Sequence, residues 1–153
     1  MFYYLLTFLI SMVPVIELRG AIPFGIGYGL NEMLVILIAI VGNMVPIPFL
    51  VLFGGKVLNW LAQYPRLGKP FRKILEIGNK KVAKMHKTLF WGLFVFVAIP
   101  LPGTGAWTGA LISIILGLDL KRAVPPITLG VVTAGLIMLD LSVTARGVFD
   151  LLV

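Results

Sequence analysis

Residues 33–53, MLVILIAIVGNMVPIPFLVLF, run for 21 positions without a charged side chain. About 20 predominantly apolar residues are what an α-helix needs to cross the hydrocarbon core of a bilayer. In a soluble domain such a run must be covered on every side, and the rest of this chain is too apolar to supply the polar surface. Only 12% of its 153 residues are charged, against about 25% in an average soluble domain. Hydrophobic residues make up 59%. The chain reads as one integral membrane domain, 1–153.

The charges it does carry are concentrated. Residues 54–88 hold nine of the thirteen basic side chains, beside one acid, Glu76. Lys121 and Arg122 form a second basic site, and only Arg19 and Arg146 lie elsewhere. Such clustering is the mark of cytoplasmic loops, so 54–88 is expected in the cytoplasm and the chain in the cell membrane. The segment KPFRKILEIGNKKVAKMHK is expected to lie as an amphipathic helix against anionic headgroups. It carries no nucleic-acid motif, and no nucleic-acid partner is expected.

The remaining apolar stretches are interrupted. Residues 1–16 and 20–30 are each too short to span, and Glu17, Arg19, Gly20 and Pro23 lie where they meet. Residues 89–99 and 106–118 flank a second interruption, PLPGTG at 100–105, with Pro100, Pro102, Gly103 and Gly105. Residues 123–139 are a second span. The order is hairpin, span, basic segment, hairpin, span. At an offset of 85, Gly20-Ala21 falls on Gly105-Ala106; three residues further on, Gly29-Leu30 falls on Gly117-Leu118 and Gly42 on Gly130. With the basic segments inside, the halves are oppositely oriented. The expected fold is all-α, with two inverted repeats (1–53 and 89–140), each a re-entrant hairpin plus a span, joined by 54–88 and followed by a short tail, 141–153. The N-terminal MFYYLLTFLI lacks the basic start and cleavage site of a signal peptide, and is expected to stay in the mature protein.

The stretches ELRGAIPFGIGYGLN and IPLPGTGAWTGALISIILGL, separated by a glycine-bearing helix and a basic loop, resemble the small multidrug export family, over about Val13 to Leu139. That family is placed near the DedA (VTT-domain) superfamily. The resemblance implies two facing re-entrant hairpins and movement of lipids between leaflets, polyprenyl phosphate among them. The second break departs from the superfamily pattern: it has no ionisable residue, and Thr104 stands where the 85 offset matches Arg19.

Several residues are candidates for a substrate site. A charge deep in a membrane costs at least about 2.5 kcal/mol, so it needs a partner or a wet cavity. Arg19 suits bidentate contact with a phosphate, and Glu17 suits carrying a proton. The alternative is that the two form an internal pair or anchor the hairpin. Thr104 and Trp107 could line a pathway, and the PLPGTG glycines could leave amides free for an anion. Asn43 is expected to hydrogen-bond a hairpin tip, and Asp140 is a candidate partner for Arg19. His86, the lone histidine, reads as an exposed bystander. With no cysteine, metal-ligand cluster or nucleotide-binding loop, neither an enzyme nor a cofactor is expected. The expected function is a DedA-like transporter flipping an anionic or amphipathic lipid, with proton coupling. The alternatives are a proton-coupled exporter of amphiphilic drugs, or a non-transporting protein that shapes membranes or binds a partner. A homodimer or larger assembly is expected.

Overall fold

The computed structural model describes residues 1–63 and 86–152; these form α-helices joined by short turns, with no strand among the described residues. α1 (Phe2–Met12) and α2 (Glu17–Gly27) are joined by a break at 13–16. α3 (Glu32–Met44) and α4 (Pro46–Ala62) follow. After the basic segment come α5 (His86–Ala98), a break at 99–105, α6 (Ala106–Ile115) and α7 (Leu120–Leu152). Most of KPFRKILEIGNKKVAKMHK lies outside the described residues.

Two stretches are long and apolar enough to cross a membrane, Glu32–Val57 and Leu120–Leu152. Large apolar side chains such as Leu37, Val41, Phe49, Leu129 and Leu136 are exposed on them, as a lipid surround allows. The protein is an all-helical membrane protein. Where a kink was expected from Gly42, Asn43, Pro46 and Pro48, only Val45 separates α3 from α4, and its own angles stay helical (φ −54°, ψ −49°). Pro46 then opens α4, where its missing N–H loses no helical bond. α7 does not stop at Asp140. Its 33 residues make about 50 Å at 1.5 Å per residue, well beyond the roughly 30 Å hydrocarbon core.

Two expected break residues are helical instead. Gly20 and Pro23 both lie inside α2, and the first break sits upstream of the charges, around Pro14. Proline disfavours helix in the residue before it, so the chain leaves α1 at Val13, whose ψ is 129°.

Close packing comes from small residues. The core includes Ala21, Ala39, Ala106, Ala110, Ala123 and Ala134, the composition that lets membrane helices approach. The two halves repeat local details. Gly29 (φ 71°) and Gly117 (φ 66°) each end a helix in the left-handed region. Gly29 N–H donates to Ile26 O and Leu30 N–H to Gly25 O, while Gly117 N–H donates to Ile114 O and Leu118 N–H to Ser113 O. Both are Schellman closures. Gly42 lies against Phe8 O and Ser11 of α1, and Gly130 against Phe94 O and Val97 of α5, so a Cβ at either would collide.

Candidate functional site

The two breaks meet. α2 has 11 residues and α6 has 10, so each arm rises about 15–16 Å, half the thickness of the hydrocarbon core. Glu17 opens α2 and Gly105 precedes α6, which brings the inner ends of the two arms together.

Glu17 and Arg19 form an ion pair at 2.5 Å. Two residues apart on a regular helix, they would not face each other. Glu17 has φ 50°, outside the right-handed helix region, and this turn lets its carboxylate reach the guanidinium. Val15 also has a positive φ, 74°. For a β-branched residue this is a rare conformation, and such strain collects at functional segments.

Each partner also serves the opposite hairpin. Glu17 Oε1 accepts from Trp107 N–H at 3.0 Å. It thereby caps the first turn of α6, whose own N-cap, Gly105, has no side chain to do so. A Cβ on Gly105 would overlap the Glu17 carboxylate and Arg19 Nη1. Arg19 Nη2 donates to Ile99 O at 3.1 Å, more weakly to Val97 O at 3.5 Å, and to Thr104 Oγ1 at 3.2 Å. Val97 O is one of the carbonyls left without a helical partner at the end of α5, and Ile99 O, just beyond it, also accepts from Leu101 N–H at 2.9 Å. The anion thus faces a helix N-terminus and the cation a helix C-terminus, as the helix dipoles favour. Side-chain exposure is 4% for Glu17 and 13% for Arg19.

The second break is shaped for this. Leu101-Pro102-Gly103-Thr104 closes on the Thr104 N–H to Leu101 O bond at 3.2 Å. Gly103 has φ 84°, as the third place of a type II turn requires. Thr104 Oγ1 donates back to Ile99 O at 2.7 Å. Pro100 lies at the start of the break, where α5 has ended.

A cavity of about 160 Å³ opens on this pair, lined by Pro14, Val15, Glu17, Arg19, Thr104 and Trp107 among others. Two buried donors here, Arg19 Nε and Trp107 Nε1, have no protein partner. A larger apolar groove of about 600 Å³ runs between α4 and α6, with Val45, Phe49, Phe53 and Ile114 on its walls. Trp107 and Leu111 line both spaces.

The structure therefore brings Glu17, Arg19, Thr104, Trp107, Gly103 and Gly105 together. It does not add Asp140, which is exposed on α7; the carboxylate beside Arg19 is Glu17. Asn43 is fully buried, but its expected hydrogen bond to a hairpin tip is absent: neither amide atom has a partner. The PLPGTG glycines were expected to leave amides free for an anion; the amide that meets one is that of Trp107, on the Glu17 carboxylate. Sequence reasoning missed the carbonyls that hold Arg19, since a backbone acceptor has no residue signature. It also passed over Arg146, which donates to Ile26 O at the end of α2; its isolation from the basic segments was the available signal.

No curated protein and no solved structure matches the chain. A family model described as "Putative small multi-drug export protein" matches residues 17–137, from the first residue of the ion pair to the middle of α7. The match covers well over half of the sequence, and the chain belongs to that family.

Proposed function

We propose that the protein is a membrane transporter that carries an amphipathic molecule, with an anionic lipid phosphate as its preferred cargo, past the Glu17–Arg19 site. The observation that supports this is that Trp107 and Leu111 line both the cavity at the ion pair and the apolar groove, so the two spaces adjoin. A headgroup and an acyl chain need adjoining spaces of these two kinds. Mid-depth sites between broken helices are also the plan of inverted-repeat transporters, and the paired glycines of the two halves support that arrangement here, with each hairpin entering and leaving on its own face.

In this reading the resting site is neutral. An incoming phosphate takes Glu17's place on the Arg19 guanidinium, and Glu17 keeps its bond at the start of α6 or takes a proton. Arg19 engages the headgroup, Thr104 orients the guanidinium, and Trp107 lies at the junction of head and tail. The test is reconstitution in liposomes with a fluorescent lipid phosphate, comparing wild type with Arg19→Ala of matched folding by circular dichroism. The expected result is at least a tenfold slower exchange between leaflets; equal rates would end the proposal.

The family description favours a second reading, export of small amphiphilic cations with Glu17 as their counter-charge. Drug-dependent proton flux in proteoliposomes, lost in Glu17→Gln, would favour it over lipid movement.

A further inference from the structure

A second cavity, about 480 Å³, lies between α2 and the C-terminal part of α7 and has charged side chains on its wall. It is at the end of the bundle where α3 begins, opposite the end where α4 stops at Ala62. Arg146 and Asp150 stand side by side on its wall, Nε to Oδ2 3.8 Å, with side chains 48% and 66% exposed. Arg146 Nη1 donates to Ile26 O at 2.9 Å. No protein acceptor engages Nη2 among the hydrogen bonds of the described residues. Pro23 and Phe149 give the cavity an apolar side.

Its depth is set by α2. The end of that helix is about 16 Å from the level where the two breaks meet, which is the edge of the hydrocarbon core. The aromatic rings nearby agree: Tyr3 stacks on Tyr28 with centroids 4.3 Å apart, and Phe24 packs against Tyr28 at 4.8 Å. Aromatic side chains gather at that depth. With the breaks at mid-membrane, as the proposed function has them, the cavity falls at headgroup level.

A lone anion there meets Asp150, and a lone cation meets Arg146. A molecule with a phosphate and an adjacent ammonium satisfies both. Choline carries its charge under methyl groups and gives Asp150 no hydrogen bond; a glycerol headgroup gives it no cation. We propose that this cavity binds the phosphoethanolamine headgroup of a membrane lipid, phosphate on Arg146 and ammonium on Asp150. The site is separate from Glu17–Arg19 and shares with the proposed function only the depth of the breaks, not the transport.

The experiment is native mass spectrometry of the full-length protein with phosphatidylethanolamine, phosphatidylcholine or phosphatidylglycerol, and with soluble glycerophosphoethanolamine. Asp150→Asn, which leaves the Arg146 bond to Ile26 intact, is expected to lower retention of phosphatidylethanolamine about five-fold, the scale of one exposed ion pair. Retention of phosphatidylcholine should fall less, because its cation is shielded by methyl groups, and retention of phosphatidylglycerol should rise, because its phosphate no longer meets a carboxylate. Arg146→Ala is expected to lower both phosphatidylethanolamine and phosphatidylcholine. Unchanged phosphatidylethanolamine retention in Asp150→Asn, or an equal fall for all three lipids, would overturn the proposal. Binding of the soluble headgroup as tight as that of the lipid would overturn its assignment to the membrane.

Discussion

Glu17 and Arg19 show how two charges can be buried in so apolar a molecule. Each neutralises the other, and each meets the helix end of matching polarity. Removing one partner from such a buried pair costs about 3–5 kcal/mol, because the other is left uncompensated. Gly105 makes the arrangement possible by having no side chain where the carboxylate lies. Gly105→Ala should therefore displace Glu17 and lower stability by about 3 kcal/mol, seen as a fall in thermal midpoint in detergent. Gly55→Ala is the control, since a Cβ there meets nothing within 4 Å, and it should leave the midpoint unchanged or slightly raised. Equal midpoints for the two variants would show that the pair is not held in this way.

Among the elements, the break between α1 and α2 is the strained one. Val15 has φ 74° while its side chain is 82% exposed, so packing does not account for the conformation. A non-glycine residue there costs about 1–2 kcal/mol. Val15→Gly should remove that strain, offset in part by the greater freedom of glycine in the unfolded chain. The expected net change is a gain of about 1 kcal/mol in stability, read by chemical denaturation in micelles. If the strain poises Glu17 for movement, transport by Val15→Gly should fall while stability rises. The position of this break was legible only to within a few residues. Pro14, Gly20 and Pro23 all signal interruption, and packing decides which one the chain uses. In α2, Ala21, Ile22 and Ile26 are buried against neighbours, which holds the helix together despite its glycines and Pro23.

At the scale of the molecule, the proposed re-entrant second hairpin gives an odd number of membrane crossings between Gln63 and Leu152. The native chain has no cysteine, so single-cysteine variants report accessibility without background. Gln63→Cys should react with an impermeant maleimide only after cells are permeabilised, and Leu152→Cys should react in intact cells. Labelling of both from one side would refute the proposed topology. The likeness of the two halves also has a limit. The halves share their helix ends and their glycine contacts, but Arg19 has Thr104 as its counterpart, and the two are hydrogen-bonded across the interface, 85 positions apart. The shared site is chemically one-sided because only the first half supplies charge.

The apolar runs, the basic clusters and the proline and glycine interruptions determined a helical membrane protein with two spans and two broken stretches. Those properties follow from local hydrophobicity and backbone preference, which a sequence states residue by residue. The repeated glycines were legible for the same reason: each marks a local helix end or close approach. Only the tertiary structure decided what Glu17 and Arg19 are for locally. Their partners are Trp107 N–H, Ile99 O and Thr104, some 80 to 90 positions away, and two of the three are backbone atoms. Every residue carries such atoms, so no pattern of side chains could identify them. They become specific only when two helix ends, with unsatisfied donors on one and unsatisfied acceptors on the other, are packed against the same pair of charges.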